Sequence, residues 1–224
     1  SADANSTVVS PLSTLITAVM DDGIGMTKEQ ALDQVVKALM LGLPDSIDPT
    51  NYDPLAAASG GDADSTKVLL ATARLANMMN QADAFAEYRG IPFTSAGQAG
   101  TNFISELADD IGAWKEGDAS PLANDALIKQ SLVSALQAIQ AGTTDTDADD
   151  AVQLMRTSDT LLVQTAASGS GVSELAVSLA KNQRTIVTEI IDGYGDLPPG
   201  NSITTLSISQ QTLQTLSDAI SSIN

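Results

Sequence analysis

Residues 10–43 read SPLSTLITAVMDDGIGMTKEQALDQVVKALMLGL. Leu12, Leu15, Ile16, Val19 and Met20 recur at i, i+3, i+4, i+7 and i+8, which places them on one face of a 3.6-residue helix. Leu32, Val35, Val36, Leu39, Met40 and Leu43 repeat that spacing, so the stretch predicts two helices joined by a tight turn. Both starts are legible. Ser10 can cap open N–H groups with Pro11 at the first helical position, where a missing N–H costs nothing. Thr27, followed three residues later by Gln30, is a capping-box pair. Gly23, Gly25 and Gly42 are the expected stops, because glycine takes the left-handed conformation without a steric penalty.

The same helical rhythm runs outward from this pair. The seam Val68, Ala71, Leu75, Met78, Ala82 and Phe85 predicts a helix over 64–88, ended by Gly90 and Pro92. Phe103, Ile104, Leu107, Ile111 and Trp114 share one face of the next. Ser120 and Pro121 are read as opening a helix through Leu122, Ala126, Leu132, Val133, Leu136 and Ile139 to Gly142. A further helix is expected at about 149–167 on Val152, Met155, Leu162 and Ala166, then one from Val172 to Ile191 and one from about 208 onward. The reading is all-α, a bundle of about eight helices with long ordered loops. Residues 1–9 read as a linker and 10–224 as a single domain, with a sub-boundary at the glycine-rich 168–171 joint or the 115–120 turn.

Composition narrows the chemistry. Of 224 residues 43% are hydrophobic but only 3% aromatic, so the core must be built from Ala, Leu, Ile, Val and Met. A formal charge of −18 repels phosphate backbones and anionic headgroups, which argues against a nucleic-acid or membrane-surface partner. With neither His nor Cys there is no imidazole base, thiolate nucleophile, disulfide or zinc-finger site. No run reaches the roughly 18 apolar residues that a membrane span needs, and no basic-then-apolar leader opens the sequence. A mature protein, or a piece of a longer one, is expected.

The sharpest candidate site is Asp145, Asp147, Asp149 and Asp150. Oxygen ligands at i, i+2 and i+4 are how an EF-hand calcium loop begins, because alternate side chains turn toward one hard cation. Yet Asp150 stands where that loop needs Gly, and Arg156 where it needs a bidentate Glu. Two readings remain: an irregular Ca²⁺ site, or a solvated loop whose last aspartates cap the following helix. Asp45, Asp48, Asp53, Asp62 and Asp64 are weaker candidates of the same kind. Glu106, Asp109 and Asp110 would serve as an acid–base pair for glycoside hydrolysis, or form a solvated face. Ser178 and Lys181 match S-x-x-K, and Ser158-Asp159 begins an S-D-N, but the companion K-T-G is missing. The six methionines read mainly as core filling, and Asn5-Ser6-Thr7 is a glycosylation sequon only in a eukaryotic secretory setting.

Val9-Ser10-Pro11-Leu12-Ser13-Thr14-Leu15-Ile16 is followed by Ala31, Val35, Ala38-Leu39, then Leu41-Gly42-Leu43-Pro44, and by Asp48 with Tyr52-Asp53-Pro54. This order resembles a helical module of large secreted or cell-surface proteins of aquatic bacteria, of the adhesin-like kind. Met40 is an extra residue inside the A-L-G-L-P run, and the likeness covers about the first 90 residues. It implies a multi-domain, calcium-rich, extracellular setting and carries no catalytic residue over. The expected function is a non-catalytic structural or adhesive module, calcium-stabilised, whose partners are other domains of a larger protein or further copies of itself. The alternatives are a carrier for a small apolar ligand (lipid or pigment) held among the helices, and a carboxylate-dependent polysaccharide hydrolase.

Overall fold

The computed structural model describes residues 10–21, 25–44, 47–52 and 63–168. Within them the chain forms α1 (Pro11–Asp21), α2 (Lys28–Ala38), α3 (Ala63–Tyr88), α4 (Gln98–Ala113), a 3-10 turn (Pro121–Ala123), α5 (Asp125–Ile139) and α6 (Ala148–Ser168). No strand occurs among the described residues. The all-α reading therefore holds, with six of the expected helices in place. The helices expected at 172–191 and beyond 208 lie outside the described residues. So do the 1–9 linker, the sequon, Gly23, Asp45, Asp53, Asp62, the 169–171 joint, Ser178 and Lys181.

The starts of α1 and α2 form as their sequences require. Ser10 Oγ accepts the Ser13 N–H at 3.1 Å, and Ser13 Oγ accepts the Ser10 N–H at 2.8 Å. Thr27 and Gln30 make the reciprocal box: Thr27 N–H donates to Gln30 Oε1 at 2.8 Å, and Gln30 N–H to Thr27 Oγ1 at 3.3 Å.

The end of α2 departs from expectation. The helix stops at Ala38 and not near Gly42. Leu41 N–H reaches back to Val36 O and Met40 N–H to Lys37 O, both at 3.0 Å, which is the Schellman pattern. Its left-handed position falls on Met40, at φ 54°. That backbone turns the methionine outward, and it is 61% exposed where the sequence placed it in the core. A second correction concerns Ser120 and Pro121. They open only the 3-10 turn, and α5 starts afresh with Asn124 Oδ1 accepting the Ala126 and Leu127 N–H groups. The helix also ends at Ile139, short of Gly142.

Helix α4 lies at the centre, packed against α1, α2, α3, α5 and the 3-10 turn. Its buried face is Phe103, Ile104, Leu107, Ala108 and Ile111. Leu12, Leu15, Ile16, Leu75, Met78, Phe85, Ile128, Leu132 and Leu136 join these in one core. Neighbouring helices supply hydrogen bonds at both ends of α4, beside the 3.2 Å bond its own Trp114 N–H makes to Ile111 O. Gly97 at the N-cap has no side chain to offer, and the Asp83 carboxylate of α3 accepts the Gly100 N–H at 2.9 Å in its place. At the other end Gln34 of α2 donates through Nε2 to Ile111 O and Trp114 O, each at 2.8 Å. Part of the open backbone at each end is thus satisfied from a neighbouring helix. Close approach goes with this. A Cβ on Gly100 would stand 2.7 Å from Met79 O of α3.

Candidate functional site

The acidic loop between α5 and α6 is pinned from two sides. Lys129 of α5 places Nζ 2.9 Å from Asp149 Oδ2 and 3.2 Å from Asp145 Oδ2, so an ammonium stands between two of the four aspartates. Those carboxylates hold its pKa above the ordinary lysine value, Asp149 contributing most. From α3, the Arg89 guanidinium lies 5.9 Å over the Phe85 ring and donates to Thr146 O. Asp147 takes a left-handed φ of 63°, and its carbonyl accepts the Ala151 N–H in the first turn of α6. The Tyr88 phenol is pushed up, first by burial and then by the charge of Asp147, with a smaller push from Asp150. Lys129 thus joins Asp145 to Asp149, whereas the charges of Asp147 and Asp150 are felt at Tyr88. Among the described residues no group of three or more carboxylates gathers to hold a metal ion.

The α4 carboxylates form part of a ladder to α5. Asn102 Nδ2 donates to Ala135 O at 3.3 Å and Asp110 Oδ2 accepts the Ser131 hydroxyl at 3.1 Å, with Glu106 between them on the Ser134 side. These residues are spaced by four, one per turn, and their partners descend along α5, so the two helices run antiparallel. Burial pushes the carboxyl groups of Glu106 and Asp110 above their ordinary range. The charge of Asp109, itself exposed, pushes the same way. The serine hydrogen bonds oppose the rise in both.

Sequence reasoning missed the polar seam between α3 and α6. Arg74 grips Asp159 with two parallel bonds, Nε to Oδ1 at 2.6 Å and Nη2 to Oδ2 at 2.9 Å, and Asp159 is 3% exposed. Next to it, Ser158 Oγ accepts Asn77 Nδ2 at 2.8 Å and Gln81 Nε2 at 2.7 Å and donates to Met155 O. Arg156 ties the same stretch to α5, donating to Leu122 O at 2.6 Å and pairing with Asp125 at 3.0 Å. The available signal was Arg74, Asn77 and Gln81 at i, i+3 and i+7 of an alanine-rich helix, beside the apolar seam already identified. Ser158 and Asp159, read as the beginning of an acyl-enzyme motif, are interior fasteners here.

A groove of about 680 Å³ opens on the outer side of α2, between that helix and the loop after it. Leu32, Val36, Met40, Leu43 and Ile47 line it, with Lys28 paired to Asp48 and Lys37 to Asp33 at its rim. Of the six methionines, Met78 and Met155 are fully buried, and Met20, Met26 and Met79 are half-buried against the core. Phe103 is core as expected, while Tyr88 and Trp114 sit at its edge.

The chain matches no family model, no curated protein and no solved structure. Among the described residues no helix is long and apolar enough to cross a membrane.

Proposed function

We propose that this chain is a non-catalytic structural or adhesive helical module of a secreted or surface-exposed bacterial protein, one domain of about eight helices over residues 10–224. The observation that carries the reading is the use made of the reactive side chains. Ser158 and Asp159 are bound into the α3–α6 seam, Glu106 and Asp110 into the ladder to α5, and Asp145 and Asp149 to Lys129. Each ties its own segment to a neighbouring helix, a structural role that accounts for these residue types without a reaction. The early resemblance of residues 8–90 supports an extracellular setting, with other domains or further copies as partners.

Calcium has a specific place in this reading. An ion at the acidic loop must displace Lys129 Nζ from between Asp145 and Asp149, so stabilisation by Ca²⁺ is expected only at millimolar levels. Protease shaving of intact cells that carry the gene, followed by mass spectrometry, tests the setting: released peptides of this chain are expected, and their appearance only after lysis refutes it. Turnover of a polysaccharide panel, lost in Glu106→Gln or Asp110→Asn, would install the hydrolase instead.

The α2 groove favours a second reading, the carrier of a small apolar ligand. Its volume lies in the roughly 300–1,000 Å³ range of ligand sites, though it sits on the flank of the bundle and not inside it. Mass spectrometry of protein purified from its native source decides between the two. A lipid or pigment retained by the parent chain and lost in Val36→Asp supports the carrier.

A further inference from the structure

Helices α3 and α6 pack together, and each carries two kinds of buried residue that constrain different things. Among the described residues of α6, Ala148, Ala151, Val152, Leu154, Met155 and Leu162 are buried and apolar, with the buried Ser158 and Asp159 between the last two. Helix α3 carries its own stripe in Val68, Ala71, Leu75, Met78, Ala82 and Phe85. A stripe decides which face of a helix turns inward. It is a poorer guide to axial position, because sliding by one turn, about 5.4 Å, still puts one apolar residue near where another stood.

The polar contacts behave differently. The two bonds of Arg74 to Asp159, and the meeting of Asn77 and Gln81 on one serine oxygen, exist at a single axial setting. One turn in either direction breaks all four at once. Asn77 and Gln81, each 1% exposed, would then stand in the interior without their partner, and Asp159, 3% exposed, would keep only the looser 3.6 Å contact to Arg156 of its own helix; burying polar groups so poorly paired is unfavourable. The chain has only four arginines, and two of them, Arg74 and Arg156, meet at this aspartate. We infer that the Arg74–Asp159 pair with the Ser158 cluster is a register lock, which sets how far α6 is pushed along α3 while adding little to how firmly the helices adhere. Replacing a buried ion pair by apolar side chains of similar volume is often neutral for stability, so adhesion can come from the stripes and position from the seam. What the lock positions is the end of α6 at Ser168, where the chain leaves this helix.

The test uses the full chain, which has no native cysteine, so nitroxides can be attached at introduced cysteines alone. Arg74 meets Asp159, Gln81 meets Ser158 and Arg89 meets Thr146, which makes the helices antiparallel. Exposed Glu87 and Gln164 therefore lie toward opposite ends of the pair, and a slide changes their separation almost one for one. Pulsed electron–electron resonance on the parent should give one separation. The variant Arg74→Met with Asp159→Leu should keep its helicity and show a second population displaced by about 5 Å. Asn77→Leu with Gln81→Leu and Ser158→Ala removes the neutral half and should broaden the distribution in the same sense. One undisplaced separation in a folded variant overturns the inference. Loss of helicity in both sets overturns it too, because the seam would then be a source of stability and not of position.

Discussion

Substituting Gly100 by alanine sets two opposed effects against each other, and the structure says which should win. Alanine in place of glycine favours helix by at most about 1 kcal/mol, and by less in the first turn, where Gly100 sits. Against this, the new Cβ would stand 2.7 Å from Met79 O and 3.0 Å from Met79 C and Cβ. The nearest atom is backbone and cannot rotate away. The α3 and α4 chains must part by about 0.7 Å to reach ordinary contact at 3.4 Å, and overpacking of this kind costs roughly 1–3 kcal/mol. The same movement lengthens the 2.9 Å bond from Gly100 N–H to Asp83, a further loss of up to about 1 kcal/mol. Gly100→Ala should therefore destabilise the fold by about 2 kcal/mol, net of the gain in propensity. Urea unfolding followed by circular dichroism at 222 nm is the assay. A midpoint unchanged, or raised by the propensity gain alone, would show that α3 and α4 do not approach this closely.

Four other outcomes are expected. Met40→Gly removes a side chain from a left-handed position and should stabilise by roughly 0.5–1 kcal/mol after the entropy of glycine in the unfolded chain; a lower thermal midpoint would contradict the Schellman geometry. Gln34→Ala leaves Trp114 O without its side-chain donor and Ile111 O with the Trp114 N–H alone, and should cost about 1 kcal/mol, with faster amide exchange in the last turn of α4 as the specific sign. Acidification should first stabilise: Asp83, Glu106 and Asp110 have folded pKa values raised by burial, so between the ordinary carboxylate value and their folded values the native state holds more protons, and stability rises as pH falls through that window. Below the ordinary value the lowered Asp48 acts oppositely. Urea midpoints falling steadily from pH 7 to pH 5 would refute this, and Glu106→Gln with Asp110→Asn should flatten the rise. Lys129→Met removes the ammonium between Asp145 and Asp149, so millimolar Ca²⁺ should raise the melting temperature of the variant more than that of the parent; equal curves with Ca²⁺ and with EDTA in both would end the calcium reading.

What the sequence made legible follows from what periodicity encodes. Leu12, Leu15, Ile16 and Val19, or Val68 through Phe85, announce a buried face because each element repeats its own pattern, and all are buried. The Ser10 and Thr27 caps act within three residues and were equally readable. The end of α2 is not legible because glycine is the usual left-handed residue, and here Met40 takes that place two positions before Gly42. The fasteners between helices were out of reach for a different reason. Gln34 acts 77 residues away on Ile111, and Arg74 acts 85 residues away on Asp159. Nothing local distinguishes a glutamine or arginine on the shoulder of a helix from one in solvent. Asp145 and Asp149 share an ammonium, Lys129, that lies on the preceding helix and has no marker of its own in the sequence.

The borrowed terminal hydrogen bonds of α4 have a consequence for how the molecule comes apart. A helix with its own end residues can loosen turn by turn while its surroundings stay intact. Here the ends are held by Asp83 and Gln34 from two different segments, so melting either end first requires α3 or α2 to withdraw. Fragments cut on either side of α4 should accordingly be poor folders alone, and limited digestion of this region should pass from intact chain to small peptides with few stable products between.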